Sequence, residues 1–108
     1  MQQKEAEQMG NVGAEIVEYL KDYHTQENHA IKGRELCVLF NLTDKHLRNV
    51  VSILRQNGEA ICSSSCGYWY STDPEDIEKT LRRLEGQVHN MNISITGLKK
   101  VLTGGKGE

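Results

Sequence analysis

Near the C-terminal end of the chain the apolar residues fall at Ile77, Leu81, Leu84, Val88, Met91, Ile95, Leu98 and Leu102, at intervals that alternate four and three without a break. A helix holds such a set on one stripe, and a stripe of this period is the seam of a coiled coil. The chain therefore ends in a long helix with one continuous apolar edge. Ser71-Thr72-Asp73-Pro74 starts it. Asp73 caps it, Pro74 sits in a first turn that needs no N–H, and Glu75 and Asp76 suit the positive end of the helix dipole. Gly86 and Gly97 lie off the seam and weaken the helix by roughly 1 kcal/mol each relative to alanine. Ile77 and Leu81 adjoin the preceding segment and are expected to pack back onto it. The rest of the seam, Leu84, Val88, Met91, Ile95, Leu98 and Leu102, extends further and is expected to join a second copy in a homodimer. Glu78, Glu85 and Lys99 flank it and hint at antiparallel or staggered pairing, with parallel pairing left open. Residues 74–102 thus read as a dimerisation helix, and residues 103–108 as a flexible tail.

The full chain of 108 residues leaves room for one small domain ahead of this helix, at 12–73. Residues 1–11 are polar and aperiodic, and read as a flexible arm. Val12, Ile16, Val17, Leu20 and Tyr23 recur at helical spacing. Ala30-Ile31 is too short for a free strand but can pair with one from elsewhere. A short helix follows Gly33, with Leu36, Leu39 and Phe40 on one face. Asn41, tolerant of the left-handed conformation, ends it. Thr43 caps a second helix from Asp44 to Asn57, with Leu47, Val50, Val51 and Leu54 turned inward. Gly58 stands where a glycine ends a helix. Then the period shortens. Glu59–Cys62 and Gly67–Tyr70 read as a β-hairpin with Ser63, Ser64 and Ser65 at its tip. The fold class is mainly α with a small β-hairpin, an α+β arrangement.

The order helix, short helix, turn, helix, hairpin forms a helix-turn-helix with a wing. I-K-G-R-E-L at 31–36, F-N-L-T at 40–43, H-L-R-N-V-V-S-I-L-R-Q-N-G at 46–58 and G-Y-W-Y at 67–70 carry a resemblance. The stretch from Ile31 to Tyr70 resembles the winged helix-turn-helix domain of bacterial and phage regulators, and looks most like the N-terminal DNA-binding domain of biotin-ligase repressors. With one appended helix the chain is also similar to small winged-helix proteins of Firmicute phages and prophages. Nothing resembles the ligase's catalytic domain, so biotin chemistry is not implied. The resemblance implies double-stranded DNA as partner, with the second helix of the pair in the major groove and a role in transcriptional regulation or phage replication.

In that arrangement Lys45, His46, Arg48, Asn49, Ser52 and Gln56 face base edges. Asn and Gln pair bidentately with adenine, Arg and Lys with guanine. Thr43 at the helix start is placed to meet a phosphate. Lys32, Arg34 and Arg55 are expected on the DNA backbone, and Ser64 at the wing tip can bond phosphate. Charge distribution agrees with this. The whole chain carries 13 basic and 15 acidic residues, net -2. Yet residues 32–56 hold Lys32, Arg34, Lys45, Arg48 and Arg55 against only Glu35 and Asp44, net +3. The acidic total favours the alternative, a winged-helix docking module for another protein that binds no DNA.

Other chemistry is not expected. Cys62 and Cys66 form C-x3-C, with Cys37 and His24, His29, His46 and His89 elsewhere, but a zinc site usually needs a second paired motif. Cys37 reads as a small core residue, and Cys62 and Cys66 as a pair that can face each other across the hairpin. Gly104-Gly105-Lys106-Gly107 lacks P-loop spacing, and the serine triplet lacks a nucleophile-elbow context. Tyr68, Trp69 and Tyr70 offer a stacking platform for bases, although alternation sets Trp69 on one hairpin face and the tyrosines on the other. No enzyme activity, metal, cofactor or small-molecule substrate is expected. No apolar run approaches the roughly 18 residues of a membrane span, and no signal peptide is visible, so a cytoplasmic location is expected.

Overall fold

Helix α1 runs Gln2–Tyr23 and takes in most of the stretch read as an arm. Gln, Lys, Glu, Ala and Met there are strong helix formers, so propensity extends the helix where apolar periodicity is absent. The computed structural model describes residues 2–104, with side chains from residue 11 onward. Met1 and residues 105–108 of the expected tail lie outside it. Ile16, Val17 and Leu20 form the buried stripe of α1. A single 3-10 turn at Glu27–His29 leads to Ile31, which forms an isolated antiparallel bridge with Tyr68. The expected pairing of Ile31 with a distant strand is thus present.

Helices α2, Gly33–Phe40, and α3, Asp44–Gln56, are joined by a tight turn. Asn41 takes the left-handed conformation at φ 57°, and its N–H reaches back to the Cys37 carbonyl. Thr43 caps α3, its hydroxyl accepting from the His46 amide at 3.1 Å. Leu47, Val50 and Val51 are buried on the inner face of α3. In α2 only Leu36 is fully buried. Leu39, expected beside it, is exposed together with Val38, because the short helix leans on the core through Leu36, Cys37 and Phe40.

Strands β1, Ile61–Ser64, and β2, Gly67–Tyr70, form a two-stranded antiparallel sheet. Ile61 pairs with Tyr70, Cys62 with Trp69, Ser63 with Tyr68 and Ser64 with Gly67. Ser63 and Ser64 therefore lie in the strand, and the tip narrows to Ser65-Cys66. Alternation gives the hairpin two covered faces. Ile61, Tyr68 and Tyr70 pack against the helical core. Cys62 and Trp69 face the other way and are almost fully buried under α4. Gly67 sits at φ 128°, and a Cβ there would run into the Ile31 carbonyl.

Helix α4, Pro74–Leu102, is capped by Asp73, whose carboxylate accepts from the Glu75 amide at 3.0 Å. Its first turns lie on the hairpin. The Trp69 indole donates to Asp76 at 3.3 Å, and the Thr80 hydroxyl accepts from the Ser63 amide at 3.2 Å. The contact differs from the expected one. Ile77 is half-buried, Leu81 stays 48% exposed, and Thr80 is the buried residue at 5%. The helix meets the hairpin along Asp76, Ile77, Thr80 and Leu84, a stripe rotated from the heptad seam and sharing only Ile77 and Leu84 with it. From Val88 onward α4 makes no part of the core, and every residue is exposed. Among the described residues no helix is long and apolar enough to cross a membrane.

Candidate nucleic-acid interface

The turn before α3 and the dense inner face of that helix fix which side chains point outward. Lys45, His46, Arg48, Asn49, Ser52 and Gln56 are all exposed on it. Gln56 donates to the Ser52 hydroxyl at 3.1 Å, which holds two of these groups together. Thr43 uses its oxygen as the cap acceptor. Its hydroxyl proton remains available to an incoming acceptor, a property of every Thr cap.

A cleft of about 870 Å³ runs between α3, the hairpin and α4. Lys32, Arg48, Ser52, Arg55, Gln56 and Ser64 line it, so six of the expected residues share one surface. Arg34, Thr43, Lys45, His46 and Asn49 lie outside it. Arg83 and Gln87 of α4 join the lining. Neither is legible as a cleft residue in the sequence, where the heptad marks α4 as a dimerisation element. The adjacent Arg82-Arg83 pair beside the seam was the available signal. Four bases and no acid line this cleft.

Three of the expected residues in this lining, Lys32, Arg55 and Ser64, are committed to the hairpin. Lys32 Nζ donates to the Ser65 carbonyl at 2.8 Å and ties the hairpin tip to the start of α2. Arg55 was expected on a DNA backbone, but its guanidinium turns into the hairpin. Nε donates to the Ile61 carbonyl at 2.8 Å and Nη2 to the Ser63 hydroxyl at 3.0 Å. Burial lowers the pKa of this guanidinium, against smaller raising contributions from Tyr68 and Cys62. Ser64 was expected at an open tip. It is half-buried in β1, and its hydroxyl accepts from the Cys66 amide at 3.0 Å.

The cysteines do not face each other. Cys62 is buried opposite Trp69, Cys66 is exposed in the turn, and all three thiols are free. Burial raises the pKa of Cys62 and of Cys37, and Asp44 adds to it at Cys37, where the thiol lies 3.6 Å from the carboxylate. A raised pKa disfavours the reactive thiolate. Among the described residues, no group of three or more His, Cys, Asp or Glu is placed to hold a metal ion. Trp69 is fully buried, and both tyrosines pack on the core, so the aromatic trio forms no stacking platform. Tyr70 also donates to Glu59 at 2.8 Å and lies under Lys21, whose ammonium is 5.0 Å from the ring centre.

Comparison with protein-family models, curated proteins and solved structures found no match to this chain.

Proposed function

We propose that this chain is a winged helix-turn-helix protein that binds double-stranded DNA as a homodimer, with α3 in the major groove and α4 as the dimerisation element. The observation that carries this reading is the outer face of α3. Lys45, His46, Arg48, Asn49, Ser52 and Gln56 stand exposed there, backed by a buried apolar face and flanked by a basic cleft. Base-reading residue types on one rigid helix beside a cationic surface suit groove recognition. Arg83 supports the reading from α4, where it lines the same cleft. A regulatory or phage-replication role is the setting proposed for it.

Fluorescence anisotropy with labelled duplexes of about 25 base pairs, across a salt series, tests this. Binding should weaken linearly in log–log salt, since phosphate contacts release counterions. Arg48→Ala should reduce affinity by roughly tenfold, consistent with loss of a base or phosphate contact of about 1–3 kcal/mol. Absence of binding to any duplex at low salt overturns the proposal. Exposed Val38 and Leu39 on α2 favour the second reading, docking of another protein, which requires no DNA affinity.

A further inference from the structure

We infer that α4 pairs with α4 of a second copy in the antiparallel direction, in the register that sets Leu84 against Leu102 of the other copy. The inference rests on the homodimer proposed above and adds its direction and register. Three observations lead to it: which part of the seam is free, where the charges lie beside it, and what already covers Thr80.

On the seam Leu81 is 48% exposed, Leu84 is half-buried beside the hairpin, and among the described residues nothing covers the seam beyond it. There Val88, Met91, Ile95, Leu98 and Leu102 are exposed, from 48% at Ile95 to 85% at Leu102. Assigning Leu81, Val88, Ile95 and Leu102 to the a row puts Leu84, Met91 and Leu98 in the d row. The positions flanking the d row are then Glu78, Glu85, Asn92 and Lys99. Those flanking the a row are Thr80, Gln87, Ser94 and Val101. In a parallel pair each flanking row meets the opposite one. Glu85 would face Thr80, Asn92 would face Gln87, and Lys99 would face Ser94, with no ion pair formed.

Reversing one helix interchanges the a and d rows, so each flanking row meets its own kind. Leu84 then meets Leu102, Val88 meets Leu98, and Met91 meets Ile95, so every seam residue from Leu84 onward has a partner, and Leu81 lies outside the paired stretch. In the same register Glu85 faces Lys99 of the other copy, twice by symmetry. Asn92 faces Asn92, and Ser94 faces Ser94. A side-chain amide or a hydroxyl can both donate and accept, so each of these self-pairs can bond.

A second antiparallel register, shifted by one heptad, would set Glu78 against Lys99 and Thr80 against Val101. The fold blocks it. Thr80 is buried against the hairpin, with its hydroxyl on the Ser63 amide, and Ile77 is half-covered by the same surface. The head occupies the positions that register needs. The selected register reaches the head only at half-buried Leu84 and places the two Thr80 positions about 39 Å apart along the helix axis.

Charge reversal on the full-length chain tests this by sedimentation equilibrium at low salt, with circular dichroism to verify folding. Glu85→Lys and Lys99→Glu should each raise the dimer dissociation constant by about tenfold, since two attractive pairs become repulsive. The double variant should return to within about twofold of the wild type, a reciprocal rescue that a general loss of helix stability cannot give. Glu78→Lys should leave dimerisation unchanged. A dimer insensitive to Glu85→Lys, or weakened by Glu78→Lys instead, overturns the register while leaving the dimer itself standing. A wild-type chain that remains monomeric at about 100 µM overturns both this inference and the dimer it rests on.

Discussion

On the outer edge of β1, the Ile61 carbonyl and the Ser63 amide point away from β2. Unpaired strand edges are open to pairing with other chains, and buried orphans are costly. Arg55 donates to the first and Thr80 accepts from the second. Arg55 is thus an edge plug as well as a cleft residue. Arg55→Ala should lower unfolding stability by about 1–3 kcal/mol in urea denaturation, because the half-buried carbonyl loses its partner. Unchanged stability with lost DNA affinity would instead make it the backbone contact that the sequence suggests. Gly67 is constrained by different physics. Its φ of 128° is strained for any side chain, and an added Cβ collides with the Ile31 backbone. Gly67→Ala should therefore destabilise the fold by at least about 2 kcal/mol in the same measurement. Caps were legible in the sequence at this scale: Thr43, Asp73 and Asn41 act on backbone a few residues away, so local pattern suffices. The direction of Arg55 was not, because its acceptors arrive from a hairpin that only tertiary folding places there.

Helix α4 has two working faces, and only one shows in the heptad. The seam is written in leucines, valines and isoleucines and could be counted. The hairpin contact runs through Asp76, Ile77, Thr80 and Leu84, where polar groups answer the Trp69 indole and the Ser63 amide. Hydropathy alone cannot distinguish such residues from a solvated face, so Leu81 was expected inside where Thr80 is found. A second tie between elements is Lys79, which reaches Glu27 in the 3-10 turn at 2.7 Å. The Lys79 hydrogen bond holds the Glu27 carboxyl below its ordinary range, with a further contribution from Ser64. The same bond raises Lys79. A depressed carboxylate contributes stability above its unfolded pKa, and this is lost as pH falls through the folded value. A raised amine contributes below its unfolded pKa, and this is lost as pH rises through the folded value. The pair should therefore stabilise across the neutral range and fade at both extremes. Both groups are solvent-accessible, so salt should weaken the effect. Thermal melts of wild type and Lys79→Ala should differ slightly at neutral pH and low salt. They should converge in strong acid, where Glu27 is protonated in both folded and unfolded chains.

The whole molecule measures 56 Å along its longest axis, and the distal half of α4 carries an apolar edge that the head does not cover. The head holds its own core, built from α1, α2, α3 and the hairpin. Stability of the head and association of the copies should therefore separate. Ile95 lies on the seam at 48% exposure and belongs to no part of that core. Ile95→Glu would place two carboxylates in the seam of the proposed symmetric pair and should convert the chain to a monomer in light scattering, with the thermal melt of the head almost unchanged. DNA affinity should fall with it. On the proposed reading two linked heads would engage adjacent half-sites at high effective concentration, whereas a single head would hold one half-site alone, and linkage of this kind is worth roughly 10²–10⁴ in avidity. A monomeric Ile95→Glu chain that binds duplex as tightly as the wild type would show one head to be sufficient. A dimeric Ile95→Glu chain would place the interface elsewhere. Loss of association together with loss of two-site affinity, in a head that still melts normally, is the result that joins the helix to the proposed activity.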